Sequence, residues 1–187
     1  NVPGITGGYV GVDIFFVISG FLISSLIVES MEQGTYSLLH FYERRVRRIL
    51  PALYVVMAAT LVPAWLVLLP KEAKDFGQSI VATTLFISNI LFYNETGYFN
   101  PDSTIKPLIH TWSLSVEEQF YIFFPWLAWL ALKGGRRFLA VVTLVLAGAS
   151  LWVAHHQAVN HPAAGFFLLP ARVWEILSGT LVYLVER

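Results

Sequence analysis

Apolar runs of membrane-spanning length recur along this chain, and no other feature limits its fold so strongly. The runs cover residues 11–28, 49–69, 113–132, 138–154 and about 170–185. A helix that crosses the hydrocarbon core needs about 20 mostly apolar residues. The chain is also 56% hydrophobic and only 13% charged, whereas soluble domains are about a quarter charged. We predict an all-α, polytopic transmembrane helical bundle with five to six membrane helices.

Residues 78–93 form a further apolar segment that is short for a crossing and is interrupted by threonine, serine and asparagine. Two basic loops, at 44–48 and 133–137, should both lie in the cytoplasm. Three full crossings between them would place them on opposite sides, so we predict that 78–93 is partial or re-entrant. The connection 94–111, the helix mouth at Glu117 and the histidine loop 155–161 would then face outward.

The balance of charge argues against nucleic acid as a partner. The chain carries 12 basic and 12 acidic residues, which gives a net charge of zero. Without cysteine it has no disulfide, no thiolate nucleophile and no cysteine metal site. Three loop histidines, two of them adjacent, are weak evidence for a metal site because no carboxylate is paired with them. These are His155, His156 and His161, and we expect no metal.

Four arginines in five residues directly precede the apolar run that begins at Ile49. They are Arg44, Arg45, Arg47 and Arg48. One interpretation is an anchor that holds this loop in the cytoplasm. The other is a site for a phosphate-bearing cofactor or an anionic lipid headgroup, because guanidinium groups bind phosphate through paired hydrogen bonds. The residues alone leave both open.

Two adjacent carboxylates, Glu117 and Glu118, stand at the mouth of the apolar run 120–132. Charge near the hydrocarbon region costs a few kcal/mol, so the pair needs a reason to be there. One reason is a helix start, with Ser113 or Ser115 as N-cap and the glutamates stabilised by the helix dipole. The other is a site. Glu117 shares a helix face with Tyr121 while Glu118 points elsewhere, so we expect one carboxylate to face the protein and the other to reach water or headgroups.

Three further charges lie in apolar helices. Asp13 is in the first turn of its run, where a carboxylate suits the helix dipole, and it is also close to one membrane face. Arg172 and Glu175 are three residues apart, which favours mutual pairing inside the bundle, although both can also line a substrate pocket. Trp112 lies at a proposed membrane boundary, where tryptophan is common, and can alternatively stack on a sugar ring.

Four segments resemble the acyltransferase-3 family of integral membrane acyltransferases. Residues 8–23, GYVGVDIFFVISGFLI, are similar to its second transmembrane segment, and 41–52, FYERRVRRILPA, to its arginine-rich loop. Residues 110–121, HTWSLSVEEQFY, resemble its histidine-to-tyrosine signature, and 172–179 a later helix. The four segments follow in the family's order and extend over nearly the whole chain.

This resemblance implies an enzyme that takes an acyl group, usually acetyl, from cytoplasmic acyl-CoA. The acceptor would be a hydroxyl of an extracytoplasmic glycan, such as lipopolysaccharide, peptidoglycan or an exported polysaccharide. The family has about ten spans, so residues 1–187 would be a partial domain of a multi-pass protein in a bacterial inner membrane. The family's first span, with an arginine and the leading catalytic histidine, is absent, and we expect the fragment alone to be inactive.

The resemblance also implies roles for individual residues. The four arginines would hold the phosphates of acetyl-CoA or another acyl-CoA. Glu117, or alternatively Glu118, would orient and stabilise the missing histidine. Tyr121 or Ser115 could carry the acyl group transiently, and His110 is a second candidate base, unless it is a loop histidine bonded to backbone. Candidate substrate-binding residues are Trp112, Ser115, Asp13, Arg172 and Glu175.

A transporter or channel is the alternative class, because it would also carry charge within the membrane. Such proteins usually contain broken helices in two halves of related sequence. The sequence has no internal repeat of this kind. Enzyme chemistry is therefore the leading interpretation, with membrane lipid and a glycan as partners.

Overall fold

The computed structural model describes residues 10–96 and 106–186, and all regular structure in these residues is α-helical, as predicted. The helices are α1 (Val10–Glu32), α2 (Leu38–Val67), α3 (Pro70–Thr84), α4 (Ser88–Thr96), α5 (Thr111–Leu132), α6 (Arg136–Asn160), α7 (Pro162–Phe167) and α8 (Leu169–Glu186). Residues 97–105 of the predicted polar connection 94–111, half of its length, lie outside the described residues.

Within the described residues, four helical stretches are long and apolar enough to cross a membrane, against the five to six expected. They are α1, α2, α6 and the stretch Pro162–Glu186 that contains α7 and α8. Helix α5 has 22 residues and is not among the four, because two glutamates and a glutamine lower the hydropathy of its first half. A crossing by α5 therefore stays a prediction.

The segment 78–93 is not one helix. Helix α3 has 15 residues and α4 has nine, and both are short for a crossing. The helical structure is interrupted between them at Leu85 to Ile87. Phe86 has a φ of 54° there, in the left-handed region that few residues other than glycine adopt. The break agrees with a partial segment, and re-entry into the membrane stays a prediction.

Two predicted loops are helical, which corrects the sequence analysis. Helix α2 begins at Leu38, after a cap in which the Ser37 hydroxyl accepts a hydrogen bond from the His40 N–H at 3.4 Å. The arginine run is therefore part of this helix, since arginine is a good helix former. Helix α6 likewise continues to Asn160 and includes His155 and His156.

The chain divides into two compact units, the first formed by Asn1–Thr35 with Gln119–Arg187 and the second by Tyr36–Glu118. In the first unit α1 and α8 run parallel, and α6 runs antiparallel to both. Val28 near the end of α1 packs with Tyr183 near the end of α8 and with Leu139 near the start of α6. The Ser150 hydroxyl of α6 donates to the Pro170 carbonyl at 2.7 Å, at the start of α8.

The second unit contains α2, α3, α4 and the first residues of α5. Its apolar core brings together Leu53 and Met57 of α2, Phe76 of α3 and Leu108, which comes just before α5. Leu108 is fully buried, so the turn that leads into α5 is held by this core. The core therefore determines where the signature segment of α5 begins.

Candidate functional site

Arg45 of α2 and Glu118 of α5 form the central ion pair of the second unit. An Nη2 hydrogen of Arg45 is donated to Oε1 of Glu118 at 2.8 Å, and the same nitrogen lies 4.0 Å from Oε1 of Glu117. The side chains of Arg45, Glu117 and Glu118 are 17%, 7% and 12% exposed. Buried carboxylates need a cation close by, and Arg45 supplies it.

This contact overturns two expectations about the carboxylates. The prediction that the arginine run and the two glutamates face opposite sides of the membrane is wrong, because Arg45 and Glu118 touch. The prediction that one carboxylate reaches water or headgroups is also wrong, because both side chains are largely buried. Hydropathy along α5 placed the charges at a mouth, whereas a partner on another helix allows them to lie inside.

The other three arginines of the run have a different environment from Arg45. Arg44, Arg47 and Arg48 are exposed on α2. Arg47 pairs with Glu43 one helical turn away, at 2.7 Å, and its side chain is 78% exposed. Such exposed pairs are weak, so this guanidinium can exchange its partner for a ligand anion at little cost.

Both candidate acyl-carrier hydroxyls belong to buried side chains and take part in hydrogen bonds. Tyr121, 2% exposed, shares a hydrogen bond with the Ser19 hydroxyl of α1 inside the first unit. Ser115 belongs to the second unit, where its hydroxyl lies 2.8 Å from that of Ser88 and accepts the Ser88 N–H at 3.2 Å. Neither hydroxyl is presented to a substrate, so in this structure both of them hold helices together.

A second charged cluster lies at the start of α8 in the first unit. Arg172 donates through Nη1 to Oε1 of Glu175 at 2.7 Å and to Oδ1 of Asp13 at 3.2 Å, and its Nε donates to the Phe166 carbonyl at 3.1 Å. The predicted pairing of Arg172 with Glu175 is confirmed. Asp13, read from sequence as a local helix charge or a site residue, is the second partner of Arg172.

A family model described as an acyltransferase domain, that of the acyltransferase-3 family, matches residues 2–187. The chain belongs to the acyltransferase-3 family. It is accordingly an integral membrane protein, in agreement with its four candidate spans.

Three known proteins are similar to this chain. An uncharacterized protein of Haemophilus influenzae is 35% identical over 91% of this chain and 72% of its own length. The putative peptidoglycan O-acetyltransferase YrhL of Bacillus subtilis is 34% identical over 99% of this chain and 30% of its own length. The O-acetyltransferase OatA of Staphylococcus aureus is 31% identical over 97% of this chain and 31% of its own length.

The chain thus spans less than a third of the length of the two relatives named as acetyltransferases. No solved structure matches it. Family membership implies an acyl donor, and the described residues contain no group of three or more histidine, cysteine, aspartate or glutamate side chains that could hold a metal ion.

The remaining predicted site residues of this acyltransferase-3 domain lie close to the start of α5. Trp112 is 6% exposed, so its side chain is packed inside the second unit, and its position at a membrane boundary stays a prediction. His110 is exposed in the turn before α5, and its carbonyl accepts a 3.2 Å hydrogen bond from the Ser113 hydroxyl. Of the two, only His110 is placed where a solute could reach it.

Sequence reasoning missed the hydroxyl chain that supports this end of α5. Thr83 bonds to Thr111 at 2.9 Å, Thr111 donates to Ser88 at 3.0 Å, and Ser88 bonds to Ser115. These hydrogen bonds join the end of α3 and the start of α4 to the signature segment of α5. Threonine and serine within the apolar segment 78–93 were the available signal, because buried hydroxyls require partners.

Proposed function

We propose that this chain is part of an enzyme that transfers an acyl group, most often acetyl, from cytoplasmic acyl-CoA to a hydroxyl of an extracytoplasmic glycan. Family membership supports the acyl transfer. The relative in Bacillus subtilis named for peptidoglycan makes peptidoglycan the first acceptor to test. The membrane would be a bacterial inner membrane.

One observation carries the proposal: the arginine run divides into one partly buried member and three exposed members. Arg45 is held by the carboxylates of α5, while Arg44, Arg47 and Arg48 remain exposed on the same helix. Coenzyme A carries several phosphate charges, and exposed guanidinium groups bind phosphate oxygens through charge-assisted hydrogen bonds. The three exposed arginines would bind the donor, and Arg45 would couple their helix to Glu117 and Glu118.

The two carboxylates support the chemistry of the transfer. A hydroxyl that attacks a thioester needs a base close to the attacking oxygen. In the family pattern that base is a histidine, which a nearby carboxylate can orient and stabilise. Glu118 is the nearer partner of Arg45, at 2.8 Å against 4.0 Å for Glu117. We therefore assign the orienting role to Glu117 and the structural role to Glu118.

The test uses inverted membrane vesicles that contain the full-length protein and receive acetyl-labelled CoA from the exposed cytoplasmic face. We expect label on peptidoglycan fragments in the lumen. Arg47→Ala should raise the KM for acetyl-CoA, whereas Arg137→Ala, an exposed arginine near the start of α6, should not. Glu117→Gln should lower turnover while the protein stays folded and inserted.

The possible outcomes test the donor site, the role of Glu117 and the enzyme class separately. Transfer that is insensitive to Arg47→Ala and to a combined change of Arg44 and Arg48 would reject the arginine run as the donor site. Unchanged acetylation in Glu117→Gln would remove Glu117 from the chemistry. If no label reaches any glycan although the protein moves a solute across the vesicle membrane, the chain is a transporter and the proposal is wrong.

A further inference from the structure

An open pocket of about 330 Å³ lies beside the charged cluster of the first unit. Its wall is formed by the end of α6, by α7 and by the start of α8. The residues that determine its chemistry are Phe166, Arg172, Trp174 and Glu175. This volume is at the lower end of the range of about 300–1,000 Å³ that is typical of small-molecule sites.

Glu175 carries an acceptor atom that no described residue uses. The residue is 2% exposed, and its Oε1 accepts the hydrogen bond from Arg172. Its Oε2 is buried and accepts no hydrogen bond from any of the residues that the structure describes. A buried carboxylate oxygen without a donor is costly, so an occupant of the pocket that donates a hydrogen bond would relieve this cost.

The charges around the pocket limit the chemistry of its occupant. Asp13 and Glu175 contribute two negative charges and Arg172 one positive charge, so the cluster as a whole is negative. A phosphate or another anion would be repelled from this cluster. The pocket therefore differs in ligand preference from the exposed arginines of α2, which attract anions. The indole of Trp174 and the ring of Phe166 offer apolar surface. A neutral molecule with hydroxyl donors and an apolar face meets these conditions.

The pocket lies at the opposite end of the first unit from its basic residues. Arg136 at the start of α6 donates to Glu32 at the end of α1 at 2.8 Å, and Lys133 and Arg137 are close to it in sequence. Basic residues concentrate on the cytoplasmic side of membrane proteins. Since α1 and α8 are parallel and α6 is antiparallel to them, the cluster of Asp13, Arg172 and Glu175 is at the extracytoplasmic end.

We propose that this pocket binds a sugar ring of the glycan acceptor, with a sugar hydroxyl donating to Oε2 of Glu175 and the ring packing on Trp174. Arg172 holds Glu175 in place and is a positioning residue. This inference rests on the proposed function for the identity of the glycan, and on the contacts of the first unit for the site itself.

Direct binding tests the pocket without relying on catalysis. The purified full-length protein in detergent is titrated calorimetrically with tetra-N-acetylglucosamine as the probe. Glu175→Gln should weaken binding about tenfold or more, because a hydrogen bond to a charged acceptor is lost. Glu186→Gln, the same change at the exposed far end of α8, should bind like the wild type. Equal binding by all three proteins, or no binding by any, would overturn the proposal.

A second variant covers the case in which Glu175→Gln does not fold. Ala158 lines the pocket and is exposed, so Ala158→Leu fills the space without touching the ion pairs. We expect it to fold and to lose oligosaccharide binding. Unchanged binding in Ala158→Leu would overturn the proposal, as would displacement of the sugar by tetramethylammonium, which would make the pocket a cation site.

The vesicle assay then separates this inference from the proposed function. Glu175→Gln should raise the KM for the glycan acceptor about tenfold while the KM for acetyl-CoA stays the same. Acetyl transfer with an unchanged acceptor KM would reject the pocket and retain the enzyme. Sugar binding that depends on Glu175, without acetyl transfer in the wild type, would retain the pocket and reject the enzyme.

Discussion

Gly179 of α8 lies against the main-chain carbonyl of Val17 in α1, so closely that a Cβ on Gly179 would stand 1.9 Å from that oxygen. The relationship is reciprocal, since a Cβ on Gly20 of α1 would stand 1.8 Å from the Ile176 carbonyl oxygen of α8. Next to this contact the Ser24 hydroxyl donates to that of Thr180 at 2.8 Å. Small residues let membrane helices approach closely, and these two glycines bring α1 and α8 together.

Gly179→Ala should therefore destabilise the first unit. The added methyl group meets backbone and cannot be accommodated by a rotamer change, so we expect a loss of about 1–3 kcal/mol or more in the free energy of unfolding. Denaturant titration in mixed micelles measures it. Gly148→Ala in α6 is the matched control, because a Cβ there has no atom within 4 Å among the described residues. Equal stability of the two variants would refute the close packing.

Arg45→Ala should be much more harmful to stability than Arg47→Ala. Removing Arg45 leaves Glu117 and Glu118 buried without its charge, and breaking a buried pair costs about 3–5 kcal/mol. Removing the exposed Arg47 affects only a pair with Glu43, worth about 0–1 kcal/mol.

The same titration in mixed micelles compares the two arginine variants. A double variant, Arg45→Met with Glu118→Met, should recover part of the loss because it removes both charges. If the double variant is no more stable than Arg45→Ala, the ion pair is not the reason for the loss.

Ser88→Ala should loosen the connection between the α3–α4 break and the signature segment of α5. The Ser88 hydroxyl bonds to both Thr111 and Ser115, and its loss removes one hydrogen bond from each of these two buried hydroxyls, at a cost of about 0.5–1.5 kcal/mol per bond. Hydrogen exchange at the amides of residues 111–115 should accelerate. Ser113→Ala, whose hydroxyl bonds only locally to the His110 carbonyl, should leave exchange unchanged, and similar acceleration in both would contradict the role of the chain.

Tyr36 provides a pH-dependent test outside the candidate spans. Burial, with the nearby Tyr42 phenol, raises the pKa of Tyr36 from 10.0 to about 12. An unfolded tyrosine ionises near pH 10, so between pH 10 and 12 the unfolded state loses the proton that the folded state keeps. The contribution of Tyr36 to the free energy of unfolding is thus fully present below pH 10 and is lost as the pH rises towards 12.

Tyr36→Phe should remove that loss and should also raise stability at pH 8. The Tyr36 hydroxyl is buried without a hydrogen-bond partner among the described residues, so its removal should stabilise the fold by up to about 1 kcal/mol. The measurement is the stability difference between variant and wild type at pH 8 and at pH 11. Tyr54→Phe, at an exposed position of α2, is the control. A difference that does not grow with pH would contradict the pKa shift.

Most of the fold could be predicted from the sequence, and the two loops that are helical in the structure were missed for one reason. The apolar runs correctly located α1, α6 and α8, and the pairing of Arg172 with Glu175 follows from their spacing on one helix. The arginine run was placed in a loop because hydropathy falls there, although arginine propagates a helix well. Hydropathy measures preference for lipid, and helix formation does not depend on it alone.

The candidate site, like the fold, could be predicted only in part from the sequence. Its residue types, their order and the family could all be read from the sequence, because they depend on local composition and motif. The partners could not, since Arg45 and Glu118 are 73 positions apart and Asp13 and Arg172 are 159 apart. A buried charge must be paired, but the sequence does not say by which residue, and only the packing of helices decides which opposite charge comes within hydrogen-bonding distance.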